Sequence, residues 1–427
     1  MKRILPALAV LAFFNCSNAQ KIISTDINNF WNAYDSIQKN KNHKSEILES
    51  LFLGKKTDGL KAFMEIKKFG KEDYLNAIEK YPNFWNSIRP NTVIDSKKIK
   101  TINRAFKNLE NLYPNNSKGN IYYTIGALKS GGTTHHEDLL LGVERIMGDK
   151  NTVVSEFENE NHQKMFLFTN PSLLEQVTVH EFIHTFQKDG EINVLSKAIK
   201  EGSCDFIAEL ALNKKFTAHY LDYGFKNYEK VRSDFKAEML SKKIENWVYN
   251  SNAKNPDLGY FVGYVISKKY YENSANKKAA IKNIIELDFN NEDQLLQFLA
   301  QSDYFEDKKS AQQILTEYKK LQPQFIKIIE FENGNQSVNT GTKKIQVVFS
   351  KPMYEKFSIN FSKNGKEHFP LKNIVGLDES KKVLTLEMVD LKPDTEYDFY
   401  ITNRATKSED GYPFDQEEYK ISFKTAK

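Results

Sequence analysis

Val177-Thr178-Val179-His180-Glu181-Phe182-Ile183-His184-Thr185-Phe186-Gln187 is the most informative stretch of the chain. On a helix, residues four apart lie on one face, one turn from each other. His180 and His184 can therefore aim two imidazoles at a single point, as two ligands of a tetrahedral zinc ion must. Glu181 leaves from an adjacent part of the same turn, where it reaches a water on such an ion more easily than the ion itself. Val177, Val179, Phe182 and Ile183 are apolar and predict a buried helix, so the histidines would otherwise sit beside a core without partners. Upstream, Pro171 suits the first helical turn with Asn170 as its cap, which predicts a helix from there to about Gln187.

Downstream, Lys200-Glu201-Gly202-Ser203-Cys204-Asp205-Phe206-Ile207-Ala208-Glu209-Leu210 reads as part of an amphipathic helix over Val194–Asn213. A zinc ion that keeps one position open for water needs a third protein ligand, and Glu201 is the candidate. Asp205 shares its face and can accept the free ring N–H of one zinc histidine, His180 by preference, fixing the tautomer. Glu209, two turns beyond Glu201, is a weaker alternative ligand. Further helices are predicted near Lys226–Lys242, Leu258–Asn273, Leu295–Ala300 and Ala311–Leu321. Gly259 and Gly263, four apart, would let a neighbour approach closely.

The spacing of His180, His184, Glu201 and Asp205 resembles that of the gluzincins, the thermolysin-like class. Glu201-Gly202-x-x-Asp205 and Gly259-Tyr260-x-x-Gly263-Tyr264 look like a bacterial family described only as predicted zinc-dependent proteases, over roughly residues 45–290. The resemblance implies a mostly helical, zincin-like metallopeptidase domain with a small sheet. It also implies one Zn2+ per chain, a peptide or protein substrate, and Glu181 as general base toward a metal-activated water. A donor for the developing oxyanion is then needed, with Tyr260 and Tyr264 first and His219, Tyr220 and Tyr223 behind them. In zincins an edge strand ahead of the metal helix pairs with extended substrate, and His136–Val143 is the segment in that place. The neighbouring His135 and His136 are expected to point apart rather than form a second metal site.

The first 19 residues read as a signal peptide: Lys2 and Arg3, an apolar run from Ile4 to Phe14, then Ser17-Asn18-Ala19 before a cut at Gln20. Lipid attachment at Cys16 is the alternative, and would give the only membrane link. Cleavage at Gln20 leaves Cys204 without an internal disulfide partner. The expected location is periplasmic or extracellular, or the outer membrane if Cys16 is lipidated.

Hydrophobic residues form 40% of the 427, enough for a substantial core. The formal charge of +5 is mild and its lysines are scattered, which argues against a nucleic-acid partner. Residues 20–115 carry apolar residues at helical spacing (Phe30, Trp31, Tyr34, Ile37). Strands are predicted at Ile121–Ile125 and Leu139–Val143, with Met165–Phe168 as a short extended piece. Pro323 closes the domain spanning 20–322. Beyond it, 324–427 alternates like the strands of a β-sandwich, and Val347–Met353 and Leu391–Tyr397 resemble bacterial Ig-like domains. The expected fold class is thus α+β, followed by an all-β Ig-like sandwich that could dock a surface, a glycan or a protein. A second reading retains the zinc-binding fold without turnover, as an envelope binding or assembly factor.

Overall fold

The structure is a computed structural model that describes residues 20–114, 119–166 and 169–427. The leader at 1–19, Cys16 and the end of the Met165–Phe168 piece lie outside the described residues. The fold is α+β. The chain divides into two compact units, residues 1–185 and 186–427, so the change from helices to strands at Pro323 falls inside the second unit.

In the first unit, strand β1 (Ile22–Ile23) leads into helices α1 (Thr25–Lys39), α2 (Lys44–Leu51), α3 (Asp58–Lys67), α4 (Lys71–Lys80), α5 (Pro82–Ile88) and α6 (Ser96–Leu112). Their apolar faces converge on Phe30, Phe52, Phe63, Tyr74 and Trp85, all fully buried. The Phe30 and Trp85 rings lie 4.9 Å apart between centroids, one contact in an aromatic cluster. Strands β2 (Ile121–Thr124), β3 (Gly132–His135) and β4 (Asp138–Gly142) complete a sheet in the order β1-β2-β4-β3. The β1–β2 and β2–β4 pairs are parallel, and β3–β4 is an antiparallel hairpin.

This order corrects one expectation. The second apolar strand, read as a substrate-pairing edge, is an interior strand with β2 on one side and β3 on the other. Its continuous apolar run Leu139-Leu140-Leu141 is what a strand buried on both faces requires. The edges belong to β1 and to β3, and the Gly-Thr-Thr-His sequence of β3 carries no apolar signal. Helix α7 (Val143–Ile146) follows, then α8 (Glu160–Met165), which puts Met165 in a helix and not in an extended piece. Helix α9 (Leu174–His184) closes the unit.

The second unit begins with α10 (Val194–Leu212), α11 (His219–Lys226), α12 (Tyr228–Glu238), α13 (Leu258–Asn273), α14 (Lys277–Ile285), α15 (Glu292–Ser302) and α16 (Ala311–Leu321). The predicted helix Lys226–Lys242 is therefore two helices' territory: α11 ends at Lys226, and α12 runs only to Glu238. Strands β5 (Phe325–Ile328), β6 (Lys344–Phe349), β7 (Ser358–Asn360), β8 (Leu371–Leu377), β9 (Val383–Met388), β10 (Glu396–Thr402) and β11 (Glu418–Lys424) form two antiparallel sheets. Their orders are β5-β6-β9-β8 and β11-β10-β7. Inward residues of both, such as Ile345, Val347 and Leu386 from one and Phe399, Ile401 and Ile421 from the other, share one core. The alternation read in Ile345–Phe349 is that inward and outward pattern. Within this unit Lys407 pairs with Glu238 at 3.3 Å, and the Tyr318 and Tyr412 rings sit 5.6 Å apart, fastening the sandwich to α12 and α16.

Candidate functional site

Helix α9 starts as the sequence predicts. A 3-10 turn, Pro171–Leu173, is capped by Asn170, whose side-chain oxygen accepts from the Ser172 amide at 2.9 Å. The helix ends at His184, three residues before the expected Gln187. Two contacts fix its rotation within the first unit. The Tyr123 hydroxyl on β2 bonds Thr178 Oγ1 at 2.6 Å, and the Phe182 ring meets Phe106 on α6 at 4.7 Å. Burial pushes the Tyr123 phenol up, so it stays neutral as a hydrogen-bond partner.

With α9 so held, the His180 and His184 rings lie on one face. Their Nε2 atoms are 3.1 Å apart and their planes 79° to each other. Two nitrogens on a tetrahedral zinc, each about 2.0–2.1 Å from the metal, are separated by roughly 3.3 Å. The pair thus has the spacing of two ligands of one ion. His180 is buried, and Glu181 and His184 are half-buried.

In the second unit, Asn193 and Ser196 form a capping box that starts α10. Glu201 is 3% exposed on this helix. Its Oε1 accepts from the Tyr249 hydroxyl at 2.9 Å and from the Lys197 ammonium at 3.1 Å. Lys197, one turn earlier, also reaches Glu191 at 2.7 Å. Burial alone would lower the Lys197 ammonium, but the charge of Glu201 and the bond to Glu191 outweigh it and hold it above the usual lysine range. Tyr249 is raised by burial of its phenol and by the Glu201 charge.

The remaining candidates lie on α10, α11 and α13. Tyr260 lies beside Tyr220 at 5.2 Å and Tyr249 at 6.3 Å, and its phenol is raised by burial and by Glu201. Asp205 is fully buried, and its Oδ2 accepts from the Tyr220 hydroxyl at 2.8 Å. Tyr264 turns to the other end of α10, where its hydroxyl donates to Glu209 at 2.8 Å and receives from Lys268 at 3.2 Å. The second unit therefore groups Tyr260 and Tyr249 with Glu201, and Tyr264 with Glu209. His219 packs against Tyr220 at 5.1 Å and its ring is lowered by burial. Cys204 is fully buried, one turn after Lys200, whose carbonyl its sulfur approaches at 3.4 Å.

His135 and His136 do not point apart. Their ring centroids are 4.3 Å from each other, because His136 takes a left-handed φ of 52° at the β3–β4 turn. Sequence reasoning missed Tyr249 and Lys197. Lys197 carried a signal, the i,i+4 spacing to Glu201. Tyr249 sits in a loop with no periodicity to mark it.

No family model and no curated protein matches the chain. Among solved structures, the N-terminal part of the bacterial S-layer protein SbsC matches at 16% identity, covering 87% of this chain and 79% of that one, with a TM-score of 0.18. Among the described residues, no helix is long and apolar enough to cross a membrane.

Proposed function

We propose that the chain is an exported zinc-dependent peptidase, with His180, His184 and Glu201 as metal ligands and Glu181 as general base. The observation that carries the reading is the 3.1 Å separation of the His180 and His184 Nε2 atoms on one face of α9. Glu181, between them in the sequence, supplies the carboxylate that such a pair needs to take a proton from attacking water. When bound, zinc would supply Lewis-acid polarisation of the scissile carbonyl and acidify water.

The roles of the chain's own groups follow from their chemistry. Glu181 accepts the proton of the attacking water and returns it to the leaving amine. Tyr260, beside Glu201 and kept neutral by burial, can donate to the developing oxyanion, and ranks ahead of Tyr264, whose hydroxyl is committed to Glu209. Asp205 orients its neighbours through the bond from Tyr220. Cys204, fully buried on the same helix as Glu201, carries a thiol of the kind that zinc also takes, which makes it the competitor of Glu201 for the third position. Export rests on the leader read at residues 1–19, and the β-sandwich is proposed as a docking module.

The test is hydrolysis of a broad peptide library by the purified chain. Cleavage that a chelator abolishes and added zinc restores supports the peptidase. Stoichiometric zinc with no cleavage anywhere in the library would favour the binding or assembly reading instead.

A further inference from the structure

We infer that Tyr249 is a positioning residue for the Glu201 carboxylate, setting how that group is presented to a metal. The inference rests on the reading of Glu201 as a ligand, and it goes beyond that reading by giving the ligand its orienting partner.

Tyr249 is 67% exposed as a residue, while its phenol end is withdrawn from solvent against Glu201. Its hydroxyl turns inward and donates to Oε1 of a carboxylate that is itself 3% exposed. The backbone beneath it is unusual: Tyr249 has a φ of 58°, in the left-handed region that a side chain of this size seldom adopts. A closed set of hydrogen bonds holds it there. The Tyr249 amide donates to Asp257 Oδ1 at 2.8 Å, and the Asp257 amide donates to Asn250 Oδ1 at 2.7 Å. Asp257, at a φ of 63°, is the residue from which α13 starts. The strained loop is thus tied to the start of the helix that carries Tyr260.

The ring is held as well as the hydroxyl. Lys197 Nζ lies 4.9 Å from its centroid, and Tyr260 packs edge-on at 6.3 Å. The strain retained at Tyr249 ends on Glu201 Oε1, the oxygen that also accepts from the Lys197 ammonium at 3.1 Å, so two donors hold one carboxylate oxygen in place. A carboxylate held by a phenol at one oxygen keeps its other oxygen's direction fixed, as hydrogen-bond partners of metal ligands do.

The experiment measures zinc affinity of the full chain by competition with a chromophoric chelator, and the absorption spectrum of the cobalt(II)-loaded protein. The variants are Tyr249→Phe, which keeps the ring, Glu201→Gln and His180→Ala. The expected result is a 10- to 100-fold weaker affinity in Tyr249→Phe with an altered cobalt spectrum, while its metal-free melting temperature stays near that of the parent. Wild-type affinity and spectrum in Tyr249→Phe, with zinc lost in Glu201→Gln and His180→Ala, overturns this inference alone. Wild-type affinity in Glu201→Gln overturns it by removing the ligand it serves, and leaves the histidine pair standing. Wild-type affinity in His180→Ala sinks the metal centre itself, and this inference with it.

Discussion

Gly202 on α10 and Gly263 on α13 meet backbone to backbone. A Cβ at Gly263 would fall 1.7 Å from the Ala198 carbonyl oxygen, and one at Gly202 would fall 2.1 Å from the Tyr264 amide nitrogen. No side chain can yield there, because the atoms in the way are main chain. The crossing sets the neighbours of each glycine: Glu201 precedes Gly202, and Tyr260 and Tyr264 flank Gly263 by one turn and one residue. Gly259, paired with Gly263 in the sequence reading, faces Val248 and Trp247 instead.

Gly263→Ala should therefore destabilise the second unit well beyond a surface substitution, by about 3 kcal/mol or more, since the helices must separate to admit the methyl group. Urea denaturation measures it. An unchanged midpoint would mean that α10 and α13 can move apart at no cost.

Glu144 predicts a pH dependence. It is fully buried at the start of α7, and its Oε1 accepts from the Gly126 and Leu128 amides, both at 2.9 Å. Its Oε2 is buried and has no hydrogen-bond partner among the described residues. Burial raises the carboxyl to about 7, against an ordinary value of 4.5, and the backbone amide bonds and the Arg145 charge only partly offset this. The folded state binds the proton more tightly than the unfolded one. The resulting stabilisation is fully present below pH 4.5 and is lost as pH rises through 7. Its size is about 3 kcal/mol across that window. Glu144→Gln keeps an acceptor for the amides without the charge, so its stability should change less than the parent's between pH 5 and pH 8. Parallel curves for the two proteins would show that Glu144 titrates normally.

Glu181→Gln separates binding from chemistry. Glu181 is assigned to proton transfer and not to the metal, so the variant should hold zinc as the parent does while hydrolysis falls by about 10²- to 10⁴-fold. Peptide turnover and metal content on the same preparation give both numbers. Full turnover would remove Glu181 from its role, and loss of zinc would make it a ligand.

Much of this architecture is legible in the sequence where local signals agree. Helix α13 occupies Leu258–Asn273 and α16 Ala311–Leu321, the limits that apolar periodicity and flanking breakers define. The Asn170 cap and the histidine spacing depend only on neighbours in the chain, and both are in place. What is not legible depends on partners far away. Strand β3 forms because β4 offers it an edge, and Gly132-Thr133-Thr134-His135 carries no pattern of its own. Tyr249 reaches Glu201 across 48 residues from an exposed loop, a contact no periodicity can announce. Gly202 lies inside an apolar helix and becomes intelligible only against Gly263.

Two imidazoles one helical turn apart are the foundation of the account, and counting metal atoms tests them most directly. Elemental analysis of the purified chain, beside His180→Ala and His184→Ala, should find one zinc per parent molecule and a small fraction of that in either variant, with folding retained by circular dichroism. Equal zinc in all three, or none in a folded parent supplied with the metal, would contradict it.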